Sequence, residues 1–560
     1  MKRTIALLVP LLLVSFVLAQ QNQQPQQPSH QRPAAVTAEH PAQQQPAAEQ
    51  PSQPEPRAEE TQRQQPSQAA EHEHGDATKV HWDMKEAAPV VTKHQITLDG
   101  KVLHYTATAG RLPIRDISGN IEAEMFFVAY TLDGADPAKR SVTFAFNGGP
   151  GSASIWLHMG ALGPRKVVLE KPEGWLPQSP YRLEDNPYTP LDKTDVVLID
   201  AIGTGFSRPA DLEKAKKFWG LRGDIEAYGE FIRMYITRYE RWASPLFLLG
   251  ESYGTTRAAG IAGYLSDKGI NFNGVCLLSS IIDYESVVTT RRNDEGFVNT
   301  LPSFTMIAAY HKRLAPELMQ DLVKTRAEVE AFASGEYSSA LAKGDSLTDG
   351  EHQAILEKLA RYTGLKKDVI EQANLRVDVG TFTSNLLSDQ KLRVGRLDGR
   401  YTGPDPGNMT GGRGGPFSFF DPASGNTTGP FASVFNDYIR RELGYKTDMP
   451  YELSASDLSD QFHWDWGNQQ GFADTASYLK AAMAKNIWLK VLVLEGYYDL
   501  ATPYYAANYA MNHIDLLPQY RRNLSYATYE AGHMMYLHAP SHEKLKKDYE
   551  AFMESALPKE

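Results

Sequence analysis

At 560 residues, with 57 Lys and Arg against 68 Asp and Glu, the chain carries a formal net charge of −11. That balance argues against a nucleic-acid partner and against stable association with an anionic membrane. A single cysteine, Cys276, excludes an intramolecular disulfide, so stability has to come from the size of the core.

Met1-Lys2-Arg3 ahead of an apolar stretch over 4–19 has the charged start and short apolar centre of a secretory signal. Val17 and Ala19 suit the −3 and −1 positions, which predicts a leader over 1–19 and a secreted or periplasmic protein. A retained anchor is the rival, but the run is short and Pro10 interrupts it. Residues 20–80 are dominated by Gln, Pro, Ala and Glu; with so little to bury they read as a disordered tether. His72, His74 and His81 have no second ligand cluster beside them, so they read as solvated and no metal is expected.

Beyond the tether, strands come first. Residues 95–98 and 102–105 flank Asp99-Gly100-Lys101, a hairpin signal, and 124–130 is a further strand. Short buried-type runs follow at 142–146, 196–199, 246–249, 275–278, 491–494 and 526–529, most leading through a loop into a helical stretch. Cys276 falls inside one of them and reads as a packing residue. The pattern predicts an α/β fold with a mostly parallel central sheet and helices on both faces. Between 285 and 484 the strand signal fades. Thr348-Asp349-Gly350-Glu351 resembles a capping box ahead of Ile355, Leu356, Leu359 and Tyr362, while 316–332 and 431–443 look helical and 403–430 reads as a long loop. The expected organisation is therefore a core over 81–284 and 485–560, with a largely helical cap inserted over 285–484.

The chemistry-bearing motifs sit where strands end. Asn147-Gly148-Gly149-Pro150-Gly151-Ser152 follows the 142–146 strand. Gly250-Glu251-Ser252-Tyr253-Gly254 follows the 246–249 strand and runs into a helix start, the pattern of the nucleophile elbow of α/β-hydrolases. A serine hydroxyl needs an adjacent base and an orienting carboxylate, which on this fold follow in the order Asp or Glu, then His. Asp499 lies just past the 491–494 strand and His533 just past the last one. Asp283, after the 275–278 strand, is the rival acid. His513 reads as part of a helix, His538 lies too far past its strand, and Asp515 reads as a solvated mid-helix charge. Backbone N–H groups of Gly149 and Tyr253 are the expected oxyanion donors.

Together, Asn147-Gly148-Gly149-Pro150-Gly151, Gly250-Glu251-Ser252-Tyr253-Gly254 and Ala531-Gly532-His533-Met534 resemble the serine carboxypeptidase family, as do Asp200-Ala201-Ile202-Gly203-Thr204-Gly205-Phe206-Ser207 and Leu162-Gly163-Pro164. The resemblance implies an α/β-hydrolase with a cap, no cofactor, and release of C-terminal residues from peptides and proteins. It implies Ser252, Asp499 and His533 as the triad, with Asn147 and Glu251 binding the substrate's terminal carboxylate. The chain departs from the pattern at Ser152, where many members have cysteine, and at Ala161, where the family usually has a glutamate that pairs with the one before the nucleophile. With that partner missing, Arg165 is a candidate cation for the carboxylate, an ordinary surface charge being its alternative. The rival functions are a serine esterase or acyltransferase on the same triad, and an inactive binding protein.

Overall fold

The computed structural model describes residues 81–405, 421–467 and 471–558. The leader, all of the tether including His72 and His74, and residues 406–420 of the expected long loop lie outside the described residues.

Strands β1 (Val90–Leu98) and β2 (Lys101–Arg115) form the expected hairpin, with Leu98 opposite Lys101. The intervening Asp99 and Gly100 have φ of 49° and 77°, the left-handed pair that matches the twist of a two-residue turn. Next in the chain come β3 (Ile121–Leu132), β4 (Ser141–Phe146), the small ribbon β5 (Arg165–Val167) and β6 (Leu183–Asp185), then β7 (Thr194–Ile199) and β8 (Arg208–Pro209). These are followed by β9 (Leu246–Glu251), β10 (Gly274–Leu278), the ribbon β11 (Leu392–Val394) and β12 (Thr402–Pro404), and finally β13 (Lys490–Gly496) and β14 (Leu524–Tyr529). Among the described residues the main sheet runs β1-β2-β3-β7-β4-β9-β10-β13-β14, with β8 beside β3. It is antiparallel from β1 through β3 to β7 and parallel from there on. This is the α/β-hydrolase arrangement expected from the sequence.

The continuous apolar runs have a simple cause: alternate residues of each central strand feed opposite cores. Leu248, Val275, Leu277 and Val493 pack with helices Leu221–Arg238, Tyr253–Ser266 and Ala476–Lys485 on one face. Leu249, Cys276, Leu278 and Leu494 pack on the other with helices Pro422–Arg441 and Ala539–Ala556. A third, helical core is built by Glu295–Tyr310, Leu322–Phe332 and Asp349–Thr363, and it takes in Tyr498 and Leu500, the two neighbours of Asp499. The capping box at Thr348 is present in both directions, with Ile355, Leu356 and Leu359 buried behind it.

Four local expectations are corrected. The stretch 316–332 is two helices, Pro316–Met319 and Leu322–Phe332, because Asp321 caps a new start by accepting the Lys324 N–H (2.9 Å). The long loop is invaded at both ends, by β12 and by helix Pro422–Arg441, which starts at the Asp421 cap with Pro422 in its first turn. The region 285–484 is less purely helical than expected, holding the β11–β12 ribbon, and Leu479, Ala482 and Met483 of its last helix belong to the sheet core. Asp515 lies in a loop at φ 54°, after helix Tyr504–Asn512 has ended, and pairs with Lys480 (2.6 Å).

Candidate active site

The chain turns sharply after β9. Ser252 has φ 61° and ψ −132°, a strained conformation for a residue with a side chain, and helix Tyr253–Ser266 starts immediately. Gly250 is required here: a Cβ would lie 2.0 Å from the Gly254 carbonyl oxygen. The Ser252 N–H donates to the Leu278 carbonyl (3.0 Å), tying the turn to β10.

The loop after β4 closes against this elbow. A Cβ on Gly148 would lie 2.4 Å from the Tyr253 nitrogen, so only glycine lets the two backbones meet. Asn147 is buried and fixed at four points, the first being its own N–H, which donates to the Ser154 hydroxyl (3.2 Å). Its amide donates to Glu251 Oε1 (2.8 Å), its side-chain oxygen accepts the Leu157 N–H (2.9 Å), and its carbonyl accepts from Arg257 (2.6 Å). Arg257 is fully buried and neutralised by Asp224 (2.7 and 3.1 Å), which also accepts from the Tyr253 hydroxyl (3.1 Å). Sequence reading missed this lock; its one signal was an arginine inside an otherwise apolar and hydroxyl-bearing helix face. The Asp200 loop buttresses the same region, with Asp200 accepting the Ser154 N–H (2.8 Å) and the Tyr451 hydroxyl (3.1 Å).

Across the cavity, Asp499 is wholly buried at the end of β13. It accepts from His533 Nδ1 (2.7 Å), from the Ala501 and Thr502 N–H groups (2.7 and 3.0 Å), and from the Thr502 hydroxyl (2.7 Å). Burial lowers the His533 pKa, but Asp499, with a smaller contribution from Glu251, holds the imidazole above its ordinary value. Three contacts fix the two loops. His533 N–H donates to Leu397 O (2.7 Å), Leu500 N–H to Arg396 O (3.0 Å), and the Ser279 hydroxyl to His533 O (2.7 Å). Thr502, Arg396 and Leu397 were also missed, because nothing in their local sequence distinguishes them.

Asn147, Gly149, Glu251, Ser252, Tyr253 and His533 line one cavity of about 290 Å³. Glu251 is its buried acid. Burial pushes its pKa up to about 7, against the opposing pull of His533, Tyr536 and Asn147. Its second oxygen has no hydrogen-bond partner; the Tyr536 hydroxyl lies close to Glu251 but outside hydrogen-bond geometry. Ala161, where the family usually has a glutamate, is buried.

Arg165 is not brought to this group. It lies on β5, its guanidinium is held by Asp185 (2.5 Å) and Glu442 (3.3 Å), and it is not among the described residues that line the cavity. Those two carboxylates satisfy its charge, which favours the surface-charge alternative over a grip on the substrate carboxylate. Asp283 caps a short turn by accepting the Glu285 N–H (3.0 Å), while His533 pairs with Asp499. His513 ends its helix against the Tyr509 carbonyl (2.7 Å), and His538 pairs with Ser541 (2.8 Å).

A family model described as serine carboxypeptidase matches residues 103–533. Among solved structures, a prohormone-processing carboxypeptidase from Saccharomyces cerevisiae matches at 15% identity and a TM-score of 0.49, covering 80% of this chain and 91% of that one. A proline iminopeptidase from Mycobacterium smegmatis matches at 15% identity and a TM-score of 0.35, covering 80% and 98%. No curated protein sequence matches the chain.

Proposed function

Because the chain belongs to the serine carboxypeptidase family, we propose that it releases C-terminal residues from peptides through an acyl-enzyme on Ser252. The observation that carries this reading is the His533–Asp499 hydrogen bond (2.7 Å) at the wall of the cavity that Ser252 shares. Ser252 Oγ attacks the scissile carbonyl while His533 Nε2 takes its proton, and Asp499 holds the imidazole in the tautomer that leaves Nε2 free. The oxyanion forms between the Gly149 and Tyr253 N–H groups, each worth about 10²–10³ in rate. His533 then gives its proton to the departing amine, the C–N bond breaks, and water repeats the sequence on the acyl-enzyme. Asn147 and protonated Glu251 hold the substrate's terminal carboxylate, which makes the enzyme an exopeptidase. Two ionised carboxylates there would repel, so the raised pKa of Glu251 favours this role.

Residues 1–19 are the proposed leader, placing the enzyme outside the cytoplasm; among the described residues no helix is long and apolar enough to cross a membrane. The test is digestion of a peptide library with a mass readout, together with fluorophosphonate labelling. Stepwise loss of C-terminal residues and labelling of Ser252, both abolished in Ser252→Ala, are expected. Internal cleavage, turnover of esters alone, or labelling of another serine would overturn the proposal.

A further inference from the structure

The loop that follows β11 brings a cation to the cavity. Gly395 to Arg400 thread between the two loops that carry Asp499 and His533, and each contact is a backbone or buried polar one. Arg396 O receives the Leu500 N–H, Leu397 O receives the His533 N–H, and Asp398 receives the Gly532 N–H (3.0 Å). Asp421 accepts the N–H groups of both Arg396 and Leu397 (3.2 and 3.0 Å). Asp398 and Glu173 pair with the buried Arg400 (both 2.6 Å), anchoring the far end. The backbone of Arg396 is therefore held as firmly as the triad loops themselves.

Among the described residues nothing holds its side chain. Arg396 is exposed and lines the cavity, and among the described residues no carboxylate or carbonyl receives its guanidinium. Other arginines close to this site behave differently: Arg257 is spent on Asp224, and Arg400 on Asp398 and Glu173. The charge of Arg396 reaches His533, where it opposes protonation. Among the described lining residues the remaining charge-bearing types are Glu251 and His533, so in mildly acidic solution, with Glu251 neutral, the lining side chains carry no negative charge, the nearest carboxylates being Asp499 behind His533 and Asp421 on the Arg396 backbone. Ser424 and Thr428, on the first turns of helix Pro422–Arg441, add hydroxyls to the lining of the same cavity.

We propose that Arg396 is a specificity-determining residue that pairs with an acidic side chain, Asp or Glu, adjacent to the scissile bond of the substrate. This rests on the peptidase reading above, in which Asn147 and Glu251 already hold the terminal carboxylate; Arg396 then reads a second one. A guanidinium fixed through its backbone, with no partner at its tip among the described residues, offers a planar donor pair that a carboxylate matches and a carboxamide does not.

The test compares kcat/KM of the full-length enzyme, Arg396→Gln and Arg396→Glu on peptides that differ only in Glu, Gln or Lys, in one series at the last residue and in another at the penultimate one. The wild-type enzyme is expected to prefer Glu over Gln by about five- to tenfold in one series, less so at high salt. In Arg396→Gln that ratio falls to about one, and Arg396→Glu prefers Lys. Matching circular dichroism melts show that the variants are folded. Equal turnover of Glu and Gln peptides by the wild-type enzyme would overturn the inference while leaving the peptidase intact. Loss of the same factor on Glu and Gln peptides in Arg396→Gln would assign Arg396 to the terminal carboxylate, overturning it as well. Failure of the wild-type enzyme to shorten any peptide would overturn the peptidase reading and this inference with it.

Discussion

The two acids that the sequence offers, Asp499 and Asp283, make different contacts. The Asp499 carboxylate meets His533 Nδ1, whereas Asp283 is used as a turn cap. Asp499→Asn is expected to lower kcat by roughly 10⁴-fold with little change in melting temperature, because an amide favours the wrong imidazole tautomer. Asp283→Asn is expected to keep kcat within about threefold, since only a local cap is weakened. Steady-state kinetics on one peptide compares the two, and a crippled Asp283→Asn would reverse the assignment. Glu251 sets a pH dependence. Neutral Glu251 donates to a carboxylate and the ionised form repels it, so with its pKa near 7 the KM for free-carboxylate peptides is expected to rise as pH passes that value. Glu251→Gln keeps a donor without the ionisation, so its KM should stay flat over the same range. On the acid side kcat/KM falls as His533 takes a proton, and because Asp499 holds that pKa above the usual 6.5, the fall begins at a higher pH than for a free histidine.

Elements explain how residues so far apart in the chain reach one cavity. Each central strand of the parallel part ends on the same edge, and the motifs occupy the loops immediately after β4, β9, β13 and β14. The segment after β11 then stitches the β13 and β14 loops together. One tight point is Gly532, where a Cβ would lie 2.5 Å from Asp398 Cβ. Gly532→Ala therefore has to move either Asp398 or the backbone that carries His533. We expect kcat to fall by about 10–100-fold, because a displacement of about 1 Å at a reacting group costs that much. Stopped-flow acylation rates beside a thermal melt would check this; an unchanged acylation rate would show that the stitch does not position His533.

At the scale of the whole molecule, stability rests on cores and not on covalent links. Cys276 is wholly buried on β10, packed with Leu278, Leu494 and the final helix, and burial raises its thiol pKa. It is expected to resist thiol reagents in native buffer and to react only as the sheet opens. Its labelling should track the loss of helical signal in a denaturant titration. Labelling that precedes that loss would mean that the sheet opens locally at β10. Reducing agent is expected to leave the melting temperature unchanged, as one cysteine cannot form an internal disulfide.

The sequence by itself determined the features that depend on local chemistry and periodicity. These are the Asp99-Gly100 turn, the apolar runs of the parallel strands, the capping box at Thr348, and the glycine-flanked Ser252 between a strand and a helix. Each follows from backbone sterics or from residues within a few positions, so the chain states them directly. What only the tertiary structure decided are pairings between residues far apart: Asn147 with Glu251, Arg257 with Asp224, Asp499 and not Asp283 as the acid beside His533, and the placement of Arg396 beside the loops that carry those two residues. Arg165 lies close in sequence to a recognisable motif yet is neutralised by Asp185 and Glu442, the latter 277 positions away in the chain. A charged side chain takes the partners that folding brings within a few ångströms, and local sequence carries no record of which those will be.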